Sequence, residues 1–307
     1  IELAVADAEF ALALFSDSYA LHAEGTVSLS DVPGVTLSGT VAVRANTTGV
    51  QSVDFGDYGV IDFGTAAEQY MFVGTDLALG LEGLVSLSGD LTMQYVIDGL
   101  DESILVTGES IIVSMSLDPI ELSLSNAAFA LSLYNSAGSS VYAVHAEGDV
   151  ALTGVPGITF GGNLAFWANT TGEQVVDFGD YGSIDFGTRS QYFAFRGEGL
   201  TIAVDDFASL SGDFTIVYEG EGDDAVLLVT AENLNASVGV DPIELSVSNA
   251  AFGLLLYNSE DTTVYALHAE GDIALNGVPS LTLGGTVELW VNTTSEQVVS
   301  FGDYGEI

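Results

Sequence analysis

The chain repeats one long stretch of sequence along its length. IELAVADAEFALALF begins at Ile1, IELSLSNAAFALSLYN at Ile120 and IELSVSNAAFGLLLYN at Ile243, so the period is 119 residues and then 123. The likeness continues through HAEG and NTT phrases to FGDYG, which occurs three times. Self-similarity at a fixed period is the signature of a repeat architecture. We therefore predict β repeats at residues 1–119 and 120–242, and the first half of a third at 243–307, within a longer array.

Each repeat contains a weaker internal periodicity of roughly 17 residues. Most of these segments have Gly, Ala or Asn near the centre, followed by alternating apolar and polar residues, as in GTVELWVN. Period-two alternation predicts strands with one buried face, and Gly, Asn, Asp, Ser and Pro punctuate them. No convincing helix is found, so we predict an all-β protein. Two architectures fit this pattern. One is an elongated, tandem-repeat β-solenoid-like rod, which the 17-residue periodicity favours, and the other is a string of β-sandwich domains of about 120 residues.

The charge balance excludes several classes of partner. The chain has 44 Asp and Glu against three Lys and Arg, a net charge of −41. This excludes nucleic acid, because phosphate contacts need a basic surface, and it favours cations. Hydrophobic residues make up 48% of the chain, which favours a folded protein over an acidic disordered one. No apolar run approaches the roughly 20 residues that a transmembrane helix needs, so we predict no transmembrane segment.

In two copies an Asp directly precedes FGDYG, and this Asp with the first two residues of FGDYG spells DFG, a string known from kinases. A kinase also needs a strand Lys, and the chain has no Lys, so that interpretation fails. Carboxylates clustered on a glycine-rich turn can instead hold Ca²⁺. The spacing does not match an EF-hand loop, and the alternative is a bend in which Phe and Tyr pack while the acids stay in solvent. The candidate Ca²⁺ ligands are Asp54, Asp57, Asp62, Asp177, Asp180, Asp185 and Asp303.

All three histidines lie in the HAEG phrase, as His22, His145 and His268. On a strand, each shares a face with the Glu two residues further on. Such a pair could transfer protons or bind a metal. The related phrase RGEG has Arg196 in the His position, which favours a charge pair on an exposed face. With no nucleophile and no third partner, we predict no catalytic residues and no enzymatic activity.

The NTT phrases begin at Asn46, Asn169 and Asn292, and NAS begins at Asn235. They are N-glycosylation acceptors if the protein passes through a glycosylating pathway, and their periodic placement predicts one equivalent exposed turn in each repeat. The alternative is that Asn followed by Thr simply ends a strand.

Arg44, Trp167 and Trp290 lie two residues before those turns, in VRAN, FWAN and LWVN. A tryptophan that replaces an arginine is more plausible at a surface than in a core. These side chains form a candidate contact surface for a sugar or a neighbouring chain, or they pack against the next strand.

The Lys-poor, Cys-free, Asp- and Gly-rich repeats resemble those of giant secreted bacterial surface proteins that form adhesin stalks, sheaths and extracellular filaments. The resemblance implies secretion to the cell surface, stiffening by calcium and a spacer or assembly role. It favours a non-enzymatic structural protein of a cell-surface fibre, filament or sheath, which associates with itself or with neighbouring repeats. The alternative is a monomeric, calcium-stiffened adhesin stalk or a glycan-binding repeat module.

Overall fold

The computed structural model describes residues 2–30, 35–64, 67–81, 85–98, 101–117, 120–136, 139–155, 157–188, 191–205, 207–220, 225–259, 262–294 and 298–306. Within these ranges the chain is all-β, as predicted, with 3₁₀ turns at Gly56–Tyr58, Gly179–Tyr181 and Gly302–Tyr304. The strands, in chain order, are β1 (Glu2–Leu14), β2 (Tyr19–Ser30), β3 (Val35–Asn46), β4 (Ser52–Asp54), β5 (Val60–Asp62), β6 (Glu68–Leu81), β7 (Val85–Asp98), β8 (Asp101–Leu117), β9 (Ile120–Ser136), β10 (Ser139–Thr153), β11 (Ile158–Asn169), β12 (Val175–Asp177), β13 (Ser183–Asp185), β14 (Tyr192–Val204), β15 (Ala208–Glu219), β16 (Val226–Val240), β17 (Ile243–Ser259), β18 (Thr262–Asn276) and β19 (Leu283–Asn292).

Fifteen of the strands form one sheet in the order β1-β2-β3-β6-β7-β8-β9-β10-β11-β14-β15-β16-β17-β18-β19. The pairs β4-β5 and β12-β13 leave this sheet and form separate two-stranded hairpins. The described strand pairs are antiparallel. The predicted solenoid is not confirmed, because stacked coils would place parallel strands side by side. The alternative of separate sandwich domains also differs from the single sheet that the strand order gives.

The junction between the second and third predicted repeats is an ordinary strand pair. β16 of the second repeat pairs with β17 of the third from Val226↔Tyr257 to Val240↔Ile243. By compactness the chain divides into two units that do not follow the repeats. The first comprises Ile1–Leu117, Ser123–Ala146 and Glu173–Asp185, and the second comprises Asp118–Leu122, Glu147–Gly172 and Phe186–Ile307.

A row of β-bulges crosses the strands near their midpoints. The register of β6 against β7 shifts between Gly74 and Leu77, where Asp76 takes a φ of 50°. The Asp76 backbone N–H donates to Asp90 Oδ1 over 2.8 Å. Gly39 on β3 has a φ of 143°, and a Cβ there would lie 2.9 Å from the Leu77 Cα. The Gly and Asx residues at the centres of the 17-residue segments therefore form bulges, which bend a strand and increase its twist.

On one side of this bulge row, the sheet of the first unit has an apolar face. Leu37 on β3 lies opposite Leu79 on β6, which lies opposite Leu87 on β7. Directly opposed residues share a face, and Leu79 and Leu87 remain 43% and 39% exposed. The equivalent residues of the second unit are Phe160, Ile202 and Leu210, which oppose one another in the same way. We call these six residues the apolar face.

The buried core lies on the other side of the bulge row, under the small hairpins. Ala20 on β2 packs against Val53 and Phe63 of the first hairpin. In the third repeat Ala266 packs against Val299 and Phe301. The FGDYG segments therefore fold back over the large sheet and cover part of it. We call residues 52–63, 175–186 and 299–306 the first, second and third lids.

Candidate functional site

The FGDYG sequence builds the tip of each lid. In the first copy, Phe55 N–H donates to the Gly59 carbonyl over 2.8 Å, and Gly56 N–H donates to Asp54 Oδ1 over 2.8 Å. Gly56 and Gly59 have φ angles of 70° and 102°, a region that glycine adopts without the steric cost of a side chain. The second copy repeats this arrangement, with Gly179 N–H donating to Asp177 Oδ1. FGDYG is thus a structural turn in each copy.

Small residues of the large sheet allow the lids to approach closely. Ala20, Ala143 and Ala266 are fully buried, as are the lid residues Phe178 and Phe301. A Cβ on Gly253 of β17 would come within 2.8 Å of the Phe301 ring. A larger side chain at these sheet positions would push the lid away from the strands.

Each lid also places a tyrosine over the histidine of HAEG. The ring centroids of His22 and Tyr58 are 5.6 Å apart, and those of His145 and Tyr181 are 5.9 Å apart. His145 Nδ1 lies 2.8 Å from the Tyr181 hydroxyl, and His268 Nδ1 lies 3.0 Å from that of Tyr304. The histidines are 3%, 7% and 7% exposed in chain order. The predicted exposed face is therefore wrong for them, because the lid tyrosine covers the ring.

The His–Glu pairing predicted from HAEG is present in the first copy. His22 Nε2 lies 3.3 Å from Glu24 Oε2. His22 Nδ1 is buried and has no hydrogen-bond partner among the described residues. Burial, followed by the charge of Glu24, raises the pKa of Tyr58. Arg196 and Glu198 of RGEG form the analogous surface ion pair, at 2.5 Å.

The third copy differs because a second carboxylate joins the histidine. Glu288 Oε1 on β19 lies 3.2 Å from His268 Nε2, and Glu288 is directly opposite Glu270. The Trp290 ring lies against the imidazole at a centroid distance of 4.1 Å. His268, Glu270 and Trp290 border an open cleft of about 480 Å³, which Glu232, Tyr304 and Glu306 also line. Burial, and then the charges of Glu270, Glu232 and Glu288, raise the pKa of Tyr304, so the phenol stays protonated.

The predicted calcium ligands are spread along the lids and serve the turns. Asp54, Asp62 and Asp177 each accept a backbone N–H two residues further on, at 2.8–2.9 Å. Asp185 Oδ1 accepts from the Gln174 amide at 3.2 Å. Asp57 and Asp180 lie in the first turns of the 3₁₀ segments, and the side chain of Asp303 lies outside the described residues. Calcium binding by these seven residues stays a prediction.

The asparagines of the NTT phrases end their strands in one recurring turn. Asn46 Oδ1 accepts from the Thr48 N–H at 3.0 Å, and its Nδ2 donates to the Val50 carbonyl at 2.7 Å. Asn46 and Asn169 are themselves fully buried, while Gly49 and Val50 in the turn after Asn46 are exposed, as Asn292 is. Asn235 Nδ2 donates to the Asn233 carbonyl at 2.9 Å. A sugar on Asn46 would require this turn to open, and glycosylation stays a prediction.

The candidate contact residues lie on the strand beside the histidines. Arg44 on β3 is directly opposite His22, and Trp290 on β19 is directly opposite His268. Arg44 and Trp167 are half-buried, whereas Trp290 is 54% exposed. Arg44 Nε is buried and lacks a hydrogen-bond partner in the described part of the chain. The cross-strand packing that the sequence offered as an alternative is therefore present for Trp290, while contact with a partner stays a prediction.

Sequence reasoning missed the tyrosine–histidine contact and the role of Glu288. A signal for the contact was available, because the Tyr of FGDYG follows the His of HAEG by 36 residues in the second and third copies, and Tyr58 follows His22 by the same interval. A signal for Glu288 was also available in the sequence. The equivalent positions of the other copies are Ala42 and Ala165, so the third repeat alone of the three has a carboxylate there.

Comparison of the chain with protein-family models, curated proteins and solved structures finds no match. Among the described residues, no helix has the length and apolar character needed to cross a membrane.

Proposed function

We propose that this chain is a non-enzymatic structural protein of an extracellular, cell-surface fibre, filament or sheath, in which the apolar face packs against a second copy of the same chain. The observation that carries this proposal is the exposed row of large apolar residues in both units. The continuous strand pairing of β16 with β17 across a repeat junction supports it, because successive repeats then share one sheet.

The distribution of charge favours a second copy as the occupant of this face. Segments 77–81 (LALGL), 85–89 (VSLSG) and 111–117 (IIVSMSL) contain no charged residue, in a chain with 44 acids. Like-charge repulsion opposes contact between two copies over most of their surfaces, and it is weakest here. Because Leu79 and Leu87 recur as Ile202 and Leu210, a copy displaced by one repeat presents the same row.

The experiment introduces charge on this face and, as a matched control, on the opposite one. Leu87→Asp with Leu210→Asp adds two acids to the apolar face. Ser86→Asp with Ser209→Asp adds two acids to adjacent exposed positions that point to the other side, where each serine hydrogen-bonds a serine of the next strand. Wild type and control are expected to form ordered assemblies at high protein concentration in about 1 M NaCl, where charges are screened.

Electron microscopy and sedimentation velocity measure the outcome. The Leu87→Asp, Leu210→Asp variant is expected to remain monomeric with an unchanged far-UV circular dichroism spectrum. A wild-type chain that stays monomeric across salt, calcium and protein concentration would refute assembly and favour the calcium-stiffened stalk. Equal loss of assembly in both variants would show that the added charge, rather than the apolar face, controls association.

A further inference from the structure

We propose that the third repeat contains a binding site for one divalent transition-metal ion of the Zn²⁺ type, with His268, Glu270 and Glu288 as its protein ligands. This site is independent of the assembly role, since it lies on the lid side of the bulge row. It also differs from the predicted calcium ligands, which are aspartates of the lids.

The distances between the ligand atoms suit a small metal ion. His268 Nε2 and Glu288 Oε1 are 3.2 Å apart. Two ligands of a tetrahedral zinc ion, with bonds of about 2.0 Å, lie roughly 3.3 Å from each other. The ligand atoms of all three residues lie within 4.8 Å of one another. Glu270 is exposed, so rotation of its side chain is enough to complete a three-ligand site.

The imidazole is already oriented for coordination. His268 is 7% exposed and is held between the Tyr304 hydroxyl, 3.0 Å from Nδ1, and the Trp290 ring. With a metal on Nε2, the imidazole proton is on Nδ1 and donates to the Tyr304 oxygen. A hydrogen bond of this kind fixes the tautomer and orientation of a metal-bound histidine.

The charge pattern gives a cation a reason to bind here. Glu270 and Glu288 are directly opposite each other on neighbouring antiparallel strands, and opposed like charges destabilise a sheet. The cleft beside Glu270 is also lined by Glu232 and Glu306, and its volume of about 480 Å³ leaves room for water as a further ligand. A divalent ion neutralises this repulsion. The imidazole nitrogen favours a transition metal, because Ca²⁺ and Mg²⁺ select oxygen ligands.

The other repeats supply internal controls for the site. In the first repeat, Ala42 lies opposite Glu24 on β3, and the carboxylate opposed to Glu24 is Glu9 on β1. Among the described residues, His22 and these two glutamates do not form a three-ligand cluster. In the second repeat, Ala165 occupies the position that corresponds to Glu288. The expected stoichiometry is therefore one tight ion for each chain, whereas a generally acidic surface would bind many ions weakly.

The first test is calorimetric titration of the 307-residue chain with Zn²⁺ in about 0.5 M NaCl and millimolar CaCl₂, so that diffuse ion binding is screened. Wild type is expected to bind one equivalent of Zn²⁺. Glu288→Ala should lose this binding and still fold, since alanine is the native residue of the other copies. Glu24→Ala, the matched control in the first repeat, should bind as wild type does. Tyr304→Phe should bind about tenfold more weakly.

A spectroscopic test locates the ion. In a Trp167→Phe background, Trp290 is the remaining tryptophan, and Co²⁺ should quench its fluorescence with the same stoichiometry, but not after Glu288→Ala. The proposal is overturned if Glu288→Ala binds Zn²⁺ as wild type does. It is also overturned if Glu24→Ala loses as much binding as Glu288→Ala, because that result would mean diffuse binding by acidic surface.

Discussion

Phe178 shows how much of a lid depends on one side chain. It is a fully buried residue of the second lid, and its ring meets Tyr181 edge to face. Phe178→Ala would leave a cavity under the lid and is expected to destabilise this region by about 3–5 kcal/mol. Urea unfolding, together with hydrogen exchange of the amides near residue 178, would measure the loss, because repeat proteins can open locally.

Phe166→Ala is the matched control for that substitution. Phe166 lies in the same repeat but is 41% exposed, so its loss is expected to cost roughly 1 kcal/mol. Equal losses for the two variants would mean that the lid does not depend on the buried ring.

Asp213 links single-residue chemistry to the pH dependence of stability. The Gly199 backbone N–H and the Asn233 amide each donate to its carboxylate over 2.7 Å. The hydrogen bond from Gly199, followed by that from Asn233, lowers the pKa of Asp213. A carboxyl whose folded pKa is depressed stabilises the fold above its unfolded pKa of about 3.9, and this contribution is lost as the pH falls through the folded pKa.

We therefore expect Asp213→Asn to reduce the free energy of unfolding most at neutral pH, with the difference from wild type shrinking below about pH 4. Urea unfolding of wild type and variant at neutral pH and below about pH 4 measures this difference in the free energy of unfolding. Asp17→Asn removes one charge at an exposed loop position and serves as the control. A difference between Asp213→Asn and wild type that does not change with pH would contradict the expectation.

At the level of the strands, the sequence could predict where strands form but not how they pair into a sheet. Alternation and glycine spacing predicted strands correctly, because one buried face requires period two whatever the sheet topology. The same alternation fits parallel coils and antiparallel hairpins, so it could not exclude the solenoid. Burial of the histidines depends on a lid tyrosine 36 residues away, and a reading of HAEG as a local pair could not reveal it.

The bulge row gives a prediction of its own. Gly162 on β11 has a φ of 146°, and a Cβ there would come within 2.7 Å of the Leu200 side chain and 2.9 Å of its Cα. Gly172, in the turn after β11, also has a positive φ, 79°, but a Cβ there would meet nothing within 4 Å. Both substitutions to alanine incur the conformational cost of a positive φ, about 1–2 kcal/mol, whereas only Gly162→Ala adds the clash.

Gly162→Ala is therefore expected to lower the urea midpoint clearly more than Gly172→Ala does. Similar midpoints for the two variants would mean that the strands adjust at the bulge without strain.

At the scale of the whole molecule, the large net negative charge must be balanced by cations in the solution. A net charge of −41 on 307 residues destabilises a compact state through self-repulsion. Salt screens this repulsion, with a Debye length of about 10 Å at 0.1 M and about 3 Å at 1 M. Stability should accordingly depend on ionic strength more than on any single exposed ion pair, each of which contributes about 0–1 kcal/mol.

We expect the thermal unfolding midpoint to rise steadily from about 0.01 M to 1 M NaCl, because screening weakens repulsion within the folded state more than within the expanded chain. Calcium chloride at matched ionic strength separates screening from specific binding. If the lid aspartates hold Ca²⁺, calcium raises the midpoint further, and Asp54→Asn with Asp177→Asn removes the excess. If the two salts act alike, the acids attract only a diffuse cation atmosphere, and the calcium-stiffened stalk loses its support. A midpoint that does not change with NaCl would contradict the role assigned to self-repulsion.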